Sequence, residues 1–191
     1  MKKKASIAVF LVGIAGAEIA LGSEHTISGE AWMLEQQVRL SNVSEHYDDV
    51  SDGSGWSFSY LHQKNDWFRI GGGAFGLNGE AKDTDLGVYG GGMITEGVIP
   101  IGAFEFATAV QLGGASVTVT RKEAETVSKT IEEGKFTQGG GWLAAPQASL
   151  GYNFNRVRLY WFTRSVQFLA GSTEIRKFSY NNVGVGLASL F

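Results

Sequence analysis

Three observations predict an all-β chain closed into an eight-stranded antiparallel, up-and-down transmembrane β-barrel. Large apolar side chains alternate with small or polar ones in segment after segment, the two-residue period of a strand whose faces meet different surroundings. Glycine accounts for 27 of the 191 residues and proline for only 2, against a usual glycine share of about 7 %. Short and long polar connections alternate along the chain, the asymmetry of barrels with tight turns at one end and longer loops at the other. Glycine-rich disorder is excluded by 5 Trp, 6 Tyr and 12 Phe, too many aromatic residues for a chain that buries nothing.

The N-terminus points to export. Lys2, Lys3 and Lys4 precede a short uncharged run from Ala5 to Ala15, and Ala15-Gly16-Ala17 offers the small-x-small pattern of a cleavage site. The run is shorter than the roughly 20 apolar residues a spanning helix needs. Residues 1–17 therefore read as a cleaved signal peptide for the general secretory pathway. Loss of its three lysines takes the 16 basic residues to 13 against 19 acidic, a formal charge of −6. A nucleic-acid partner would need a basic face instead. The absence of cysteine excludes disulfides, thiol chemistry and lipid attachment behind the leader. Residues 18–30 are assigned to a periplasmic N-terminal segment and residues 31–191 to the barrel.

The first strand runs from Ala31 to Ser41, with Trp32, Leu34, Val38 and Leu40 on one face and Glu35, Gln37 and Arg39 on the other. The second, Gly55 to Gln63, sets Trp56, Phe58 and Tyr60 against Ser57 and Ser59. The third, Trp67 to Leu77, turns Phe68, Ile70, Gly72 and Ala74 outward with Arg69 inside. The fourth, Leu86 to Thr95, presents Leu86, Val88 and Ile94 outward. In the fifth, Phe104, Phe106, Thr108, Val110 and Leu112 alternate with Glu105, Ala107, Ala109 and Gln111. The sixth, Trp142 to Asn153, places Trp142, Ala148, Leu150 and Tyr152 opposite Gln147, Ser149 and Asn153. The seventh opposes Val157, Leu159 and Trp161 to Arg158 and Tyr160. The last alternates Val183, Val185, Leu187, Ser189 and Phe191 with Asn182, Gly184, Gly186 and Ala188.

Lys64-Asn65-Asp66, Glu96 to Pro100 and Asn153-Phe154-Asn155 form the short links, and 41–54, 78–85 and 119–140 the long ones. A soluble sandwich alternates too, but it has no need to build its second face from Gly, Ala and Ser. Those residues suit the inside of a barrel just wide enough for side chains to fill. A sheet in lipid must also close, because exposed backbone edges are forbidden there. Trp32, Tyr152 and Phe191 then fall at the periplasmic ends of their strands and Trp56 and Trp142 at the surface ends. These are the two belts where Trp and Tyr settle.

The final strand ends in Phe191, with Leu187, Val185 and Val183 at alternate positions before it. It resembles the terminal signal of bacterial outer-membrane barrels. That resemblance implies recognition by the barrel-assembly machinery, with outer-membrane lipid and lipopolysaccharide as surroundings; a surface protein partner stays open. Ser189 departs from the usual apolar residue at its place. Pro146-Gln147-Ala148-Ser149-Leu150-Gly151-Tyr152 is similar to the sixth strand of the eight-stranded lipid A palmitoyltransferases. Their catalytic His follows a Trp in the first strand, where this chain has Met33 after Trp32, and no Asp-Ser pair follows Phe75. The lipid A deacylases use a His-x-Ser in a late strand. His25, His46 and His62 all precede the third strand, and none begins that motif.

These departures leave no catalytic residue assigned. His46 lies near Ser44, Asp48 and Asp49, but a Ser/His/Asp site needs the imidazole held within reach of both partners. Residues this close in one loop rarely hold that geometry. Metal binding by Glu132 and Glu133 lacks ligand spacing, and no cofactor is implied. The inward charges say more. Glu35, Arg39, Glu105 and Arg158, together with Gln111, form a lumen polar network, since a charge in a narrow, dry interior must be paired. Glu105 is expected to pair with Arg39 or Arg158. The network is either a structural plug or a gate for a small pore, and the narrow interior argues against a general diffusion porin. Val117 to Phe136 reads as a charged hairpin arm or mobile loop. The function read from the sequence is a non-enzymatic envelope-structural or surface-interaction barrel. A lipid A-modifying acyltransferase-like enzyme and a small channel are the alternatives.

Overall fold

The computed structural model describes residues 25–34, 38–42, 46–50, 52–81, 84–121, 136–170 and 175–190, all in strands or in the tight turns between them. The strands are β1 (His25–Leu34), β2 (Val38–Asn42), β3 (His46–Val50), β4 (Asp52–Asn65), β5 (Phe68–Ala81), β6 (Thr84–Ile101), β7 (Phe104–Arg121), β8 (Phe136–Phe154), β9 (Val157–Ala170) and β10 (Ile175–Leu190). β1 pairs with β4, and β4 to β10 pair antiparallel in chain order. β10 returns to β1, with Thr26 opposite Leu190 and Met33 opposite Val183. Eight strands thus close on themselves. The short β2 takes over from β1 along β10, opposite Ile175 to Ser179, and β3 pairs with β2.

Three two-residue turns, Asp66-Trp67, Gly102-Ala103 and Asn155-Arg156, mark one end of the barrel, the turn end; the opposite one is the loop end. Gly102 at φ 63° and Asn155 at φ 53° take the left-handed conformation that tight hairpins need. The second residue of each turn is tied to a neighbouring hairpin through its carbonyl. Val98 N–H donates to Trp67, Asn153 N–H to Ala103 and Leu190 N–H to Arg156, at 2.9, 2.8 and 2.7 Å. The turn end is therefore laced together by backbone.

The outer face carries an apolar band. Phe104, Phe106, Val110 and Leu112 of β7 are exposed, as are Leu150 of β8, Trp161 of β9 and Val185 of β10. Along β7 the band spans Phe104 to Leu112, close to the about 9–11 tilted residues that cross a bilayer's hydrocarbon. Trp67 and Phe154 border it at the turn end, and Trp56, Tyr89 and Trp142 towards the loop end. The inner face is small where rings must fit. Tyr160 stands opposite Gly151 and Gly186, and Phe162 opposite Gly184. A Cβ on Gly186 would lie 2.2 Å from Cζ of Tyr160. Glycine makes room for the aromatic filling.

The barrel wall begins earlier than the alternation predicts. β1 starts at His25, so residues 25–30 belong to the barrel and not to a preceding segment. Thr26, Ser28 and Glu30 are buried there, a small polar face that carries no apolar signal. Trp32 consequently pairs with Gly55, next to Trp56, and lies towards the loop end, not the periplasmic end assigned to it. Glu96 to Pro100 is not a turn but part of β6, and the chain reverses at Gly102-Ala103. The parity of the fourth predicted strand is reversed: Leu86 and Val88 are buried, Ile94 lines the lumen, and Tyr89 and Met93 are exposed. An apolar residue does not mark lipid contact here, because the loop half of the lumen is itself apolar. Phe75, Leu77, Val117, Leu143, Val166 and Phe168 form one cluster with Leu86 and Val88. The long link from Ser41 to Ser54 holds β3, and residues 122–135 of the expected arm lie outside the described residues.

A filled lumen makes a direct prediction. Gly186→Val should lower the unfolding midpoint of the refolded protein in urea, since overpacking costs about 1–3 kcal/mol. Gly97→Val should leave it nearly unchanged, because a Cβ there meets nothing nearer than Thr108 Oγ1 at 3.7 Å. Equal midpoints for the two variants would contradict the packing.

Candidate functional site

Arg69, Glu105 and Arg158 are each the second residue of a strand leaving a tight turn, β5, β7 and β9 respectively. Alternation from those turns directs all three into the barrel at one level, and Glu96 stands opposite Arg69 on β6. Arg69 Nη1 lies 2.7 Å from Glu96 Oε1 and 2.9 Å from Glu105 Oε1, and its Nη2 lies 2.8 Å from Glu105 Oε2. The guanidinium fork thus takes Glu105 with both arms, the stronger form of a charged hydrogen bond. Arg158 makes a close contact with Glu105 and stands 3.9 Å from Glu96. All four side chains are buried. Two cations meet two carboxylates, so the cluster is neutral.

A second cluster lies further towards the loop end. Glu30 of β1 is in close contact with Arg164 of β9 and Ser57 of β4. It also accepts hydrogen bonds from Gln147 Nε2 at 2.9 Å and from the Tyr160 hydroxyl at 3.0 Å. Gln147 Oε1 in turn accepts from Arg164 Nε at 2.8 Å. The guanidinium of Arg158 lies 4.8 Å from the Tyr160 ring and that of Arg164 5.1 Å from Phe162, within cation–π range. Gln111 Nε2 donates to the Gly73 carbonyl at 3.0 Å. Between the polar groups remains a cavity of about 30 Å³ bordered by Glu30, Glu96, Gln111 and Gln147, room for roughly one or two waters. The apolar cluster around Phe75, Leu77 and Phe168 fills the lumen on the loop side. Among the described residues two neutral polar layers and one apolar layer fill the lumen.

Of the expected network, Glu105, Gln111 and Arg158 occupy this interior, and Glu105 meets Arg158 and Arg69. Glu35 and Phe191 lie outside the described residues; Arg39 and Trp32 lie on β2 and β1, with side chains outside the described set. Trp56 and Trp142 are exposed on the outer face towards the loop end. Tyr152 sits near the turn end, its ring 5.0 Å from Phe104 and 4.4 Å from Phe154. The sequence reading missed Glu30, Glu96 and Arg164 as network members, and placed Arg69 inside without a partner. Glu96 falls in a segment that reads as a turn and Glu30 in one that reads as preceding the barrel, while Arg164 lies beyond the alternation of its strand. A usable signal was present: an inward charge stands two residues after each tight turn. His46 lies on β3, with its side chain outside the described set.

No family model matches the sequence, and no curated protein matches it closely enough in sequence to count as a relative. Solved structures do match it. The structure of Neisserial surface protein A aligns with a TM-score of 0.64 and 13% identity, over 87% of this chain and 97% of that one. Ail, the attachment invasion locus protein of Yersinia pestis, aligns at 0.50 and 13% identity, over 88% and 99% of the two chains. Its complex with the heparin analogue sucrose octasulfate aligns at 0.52 and 13% identity, over 88% and 98%. The fold is that of the small eight-stranded outer-membrane barrels. Identities this low carry the fold and nothing finer. The likeness of Pro146–Tyr152 to the lipid A palmitoyltransferases finds no support in these structures.

Removing one member of a buried ion pair typically costs about 3–5 kcal/mol, because the partner is left uncompensated. Glu105→Ala leaves Arg69 and Arg158 to share Glu96 alone, one buried positive charge in excess, and should lower stability towards urea by an amount of that order. Lys64→Ala, at an exposed position next to a turn, should stay within about 0.5 kcal/mol of wild type. Indistinguishable unfolding curves for Glu105→Ala and wild type would remove the network from the account.

Proposed function

We propose that this chain is a non-enzymatic outer-membrane barrel that keeps its lumen closed and serves the envelope through its outer surface. Its part is that of a structural element and of a platform for partners at the loop end. The observation that carries this reading is the stacked closure of the lumen, from the Arg69–Glu105 cluster through Glu30–Arg164 to the apolar layer. Export by the leader, periplasmic placement of the turn end, and insertion by the barrel-assembly machinery through the strand ending at Phe191 belong to the same reading.

The strand lengths favour a surface role. β6 and β7 run for 18 residues each and β8 for 19, well beyond the about 9–11 that a membrane demands. The surplus carries a groove of about 660 Å³ on the outer wall, past Tyr89, lined by Ser54, Asn78, Asp85, Tyr89, Thr118 and Thr120 among others. Hydroxyls, an amide and a carboxylate beside a tyrosine ring match the chemistry of sugar hydroxyls. Lipopolysaccharide, which surrounds an outer-membrane barrel, supplies such sugars at this height. The Yersinia protein was solved with a polyanionic sugar. Among the described residues of its lining the groove has Asp85 and neither Lys nor Arg, which suits an uncharged sugar face instead.

Reconstituted into planar bilayers, the wild-type protein is expected to give no discrete conductance steps. The double variant Glu30→Ala, Arg164→Ala leaves the Arg69–Glu105 cluster and the apolar layer in place and is expected to stay closed as well. Steady unitary conductance from the wild type would refute the closed lumen. Lipid A from cells with and without the gene should show identical masses; a shift of one acyl chain would make the barrel an enzyme.

A further inference from the structure

We infer that His25 and His62 form a binding site for a divalent transition-metal ion at the turn end of the barrel. The two residues are far apart in sequence but directly opposite in the β1–β4 register. Their rings lie 4.9 Å apart between centroids, at an interplanar angle of 31°. An imidazole nitrogen binds zinc at about 2.0–2.1 Å, which sets two rings on one tetrahedral ion about 5 Å apart between centroids. The backbone therefore already supplies the spacing, and only ring rotation remains.

Two further observations favour a ligand. His62 Nδ1 is buried and has no hydrogen-bond partner among the described residues, so a ring nitrogen stands unused beside a second imidazole. His25 Nδ1 is 2.6 Å from the Tyr60 hydroxyl. In the inferred site His25 donates its Nδ1–H to that oxygen and presents Nε2 to the metal. This is the outer-shell arrangement that fixes the tautomer of a metal-bound histidine. Among the described residues no third His, Cys, Asp or Glu joins the pair, so water completes the coordination. Two neutral imidazoles select borderline ions, with Cu²⁺ held more tightly than Zn²⁺ or Ni²⁺, and exclude Mg²⁺ and Ca²⁺. The ion would clip the first strand of the barrel to the next one at the end where the chain enters the wall.

The test is calorimetric titration of the refolded full barrel in detergent with Zn²⁺, and then Cu²⁺, in the presence of excess Mg²⁺. One equivalent is expected to bind. Loss of even an outer-shell partner costs roughly 10–100-fold, so His25→Ala and His62→Ala should each weaken binding by at least about tenfold. Tyr60→Phe should weaken it less than either, and His46→Ala should leave it unchanged. Because a histidine variant can fail to refold, Cu²⁺ broadening of amide signals in the wild-type protein gives a second measurement, with His25 and His62 expected to fade first. Absence of binding, equal affinity in folded His25→Ala, loss with His46→Ala, or first broadening elsewhere would each overturn the inference.

Discussion

An eight-stranded barrel leaves an interior one side chain deep, and that width governs everything inside it. Water cannot enter in bulk to solvate a charge, so each inward Arg or Glu must find its opposite across the lumen. Arg69, Glu96, Glu105 and Arg158 satisfy that requirement as a group of four, and Glu30 with Arg164 as a pair. The backbone closes because edges are not tolerated in lipid. The charges then pair because the closed backbone gives them nowhere else to go.

Such clusters are poor sources of net stability, since desolvation offsets most of the attraction. Their effect lies in what they fix. Glu105 is held by both arms of Arg69 and by Arg158, so strands β5, β7 and β9 are set in one rotational relation just inside the turn end. Glu30 ties β1 to β4, β8 and β9, joining the first strand of the barrel to strands across the lumen. The apolar layer on the loop side then excludes water from both. Polar and apolar filling divide the lumen by depth: the charges lie on the turn side with the Tyr160 and Phe162 rings among them, and the cluster around Phe75, Leu77 and Phe168 lies on the loop side.

The sequence revealed this wall more readily than its contents. On β7 the alternation of Phe104, Phe106, Val110 and Leu112 with Glu105 and Gln111 allows one orientation, and the structure shows that orientation. Three of the lumen rings have a glycine opposite them, Phe75 with Gly90, Tyr160 with Gly151 and Gly186, and Phe162 with Gly184, whereas Phe168 and Tyr180 have none among the described residues. What stayed hidden were residues whose chemistry did not match their side of the wall. Leu86 and Val88 look like lipid-facing residues but fill the loop half of the lumen. Thr26, Ser28 and Glu30 look like a solvated tail but are the inner face of the first strand. Cross-strand partners such as Arg69 and Glu96, or His25 and His62, depend on register, which is set only when the whole sheet is assembled.

Closure of the lumen is open to direct measurement, because the chain has no cysteine of its own. Single cysteines at Ser149, buried on the inner face, and at Ser54, exposed near the loop end, can be offered to a water-soluble, membrane-impermeant thiol reagent in the folded barrel. The account predicts rapid labelling of Ser54→Cys and protection of Ser149→Cys until the barrel is unfolded. Labelling of Ser149→Cys in the folded state as fast as that of Ser54→Cys would contradict it.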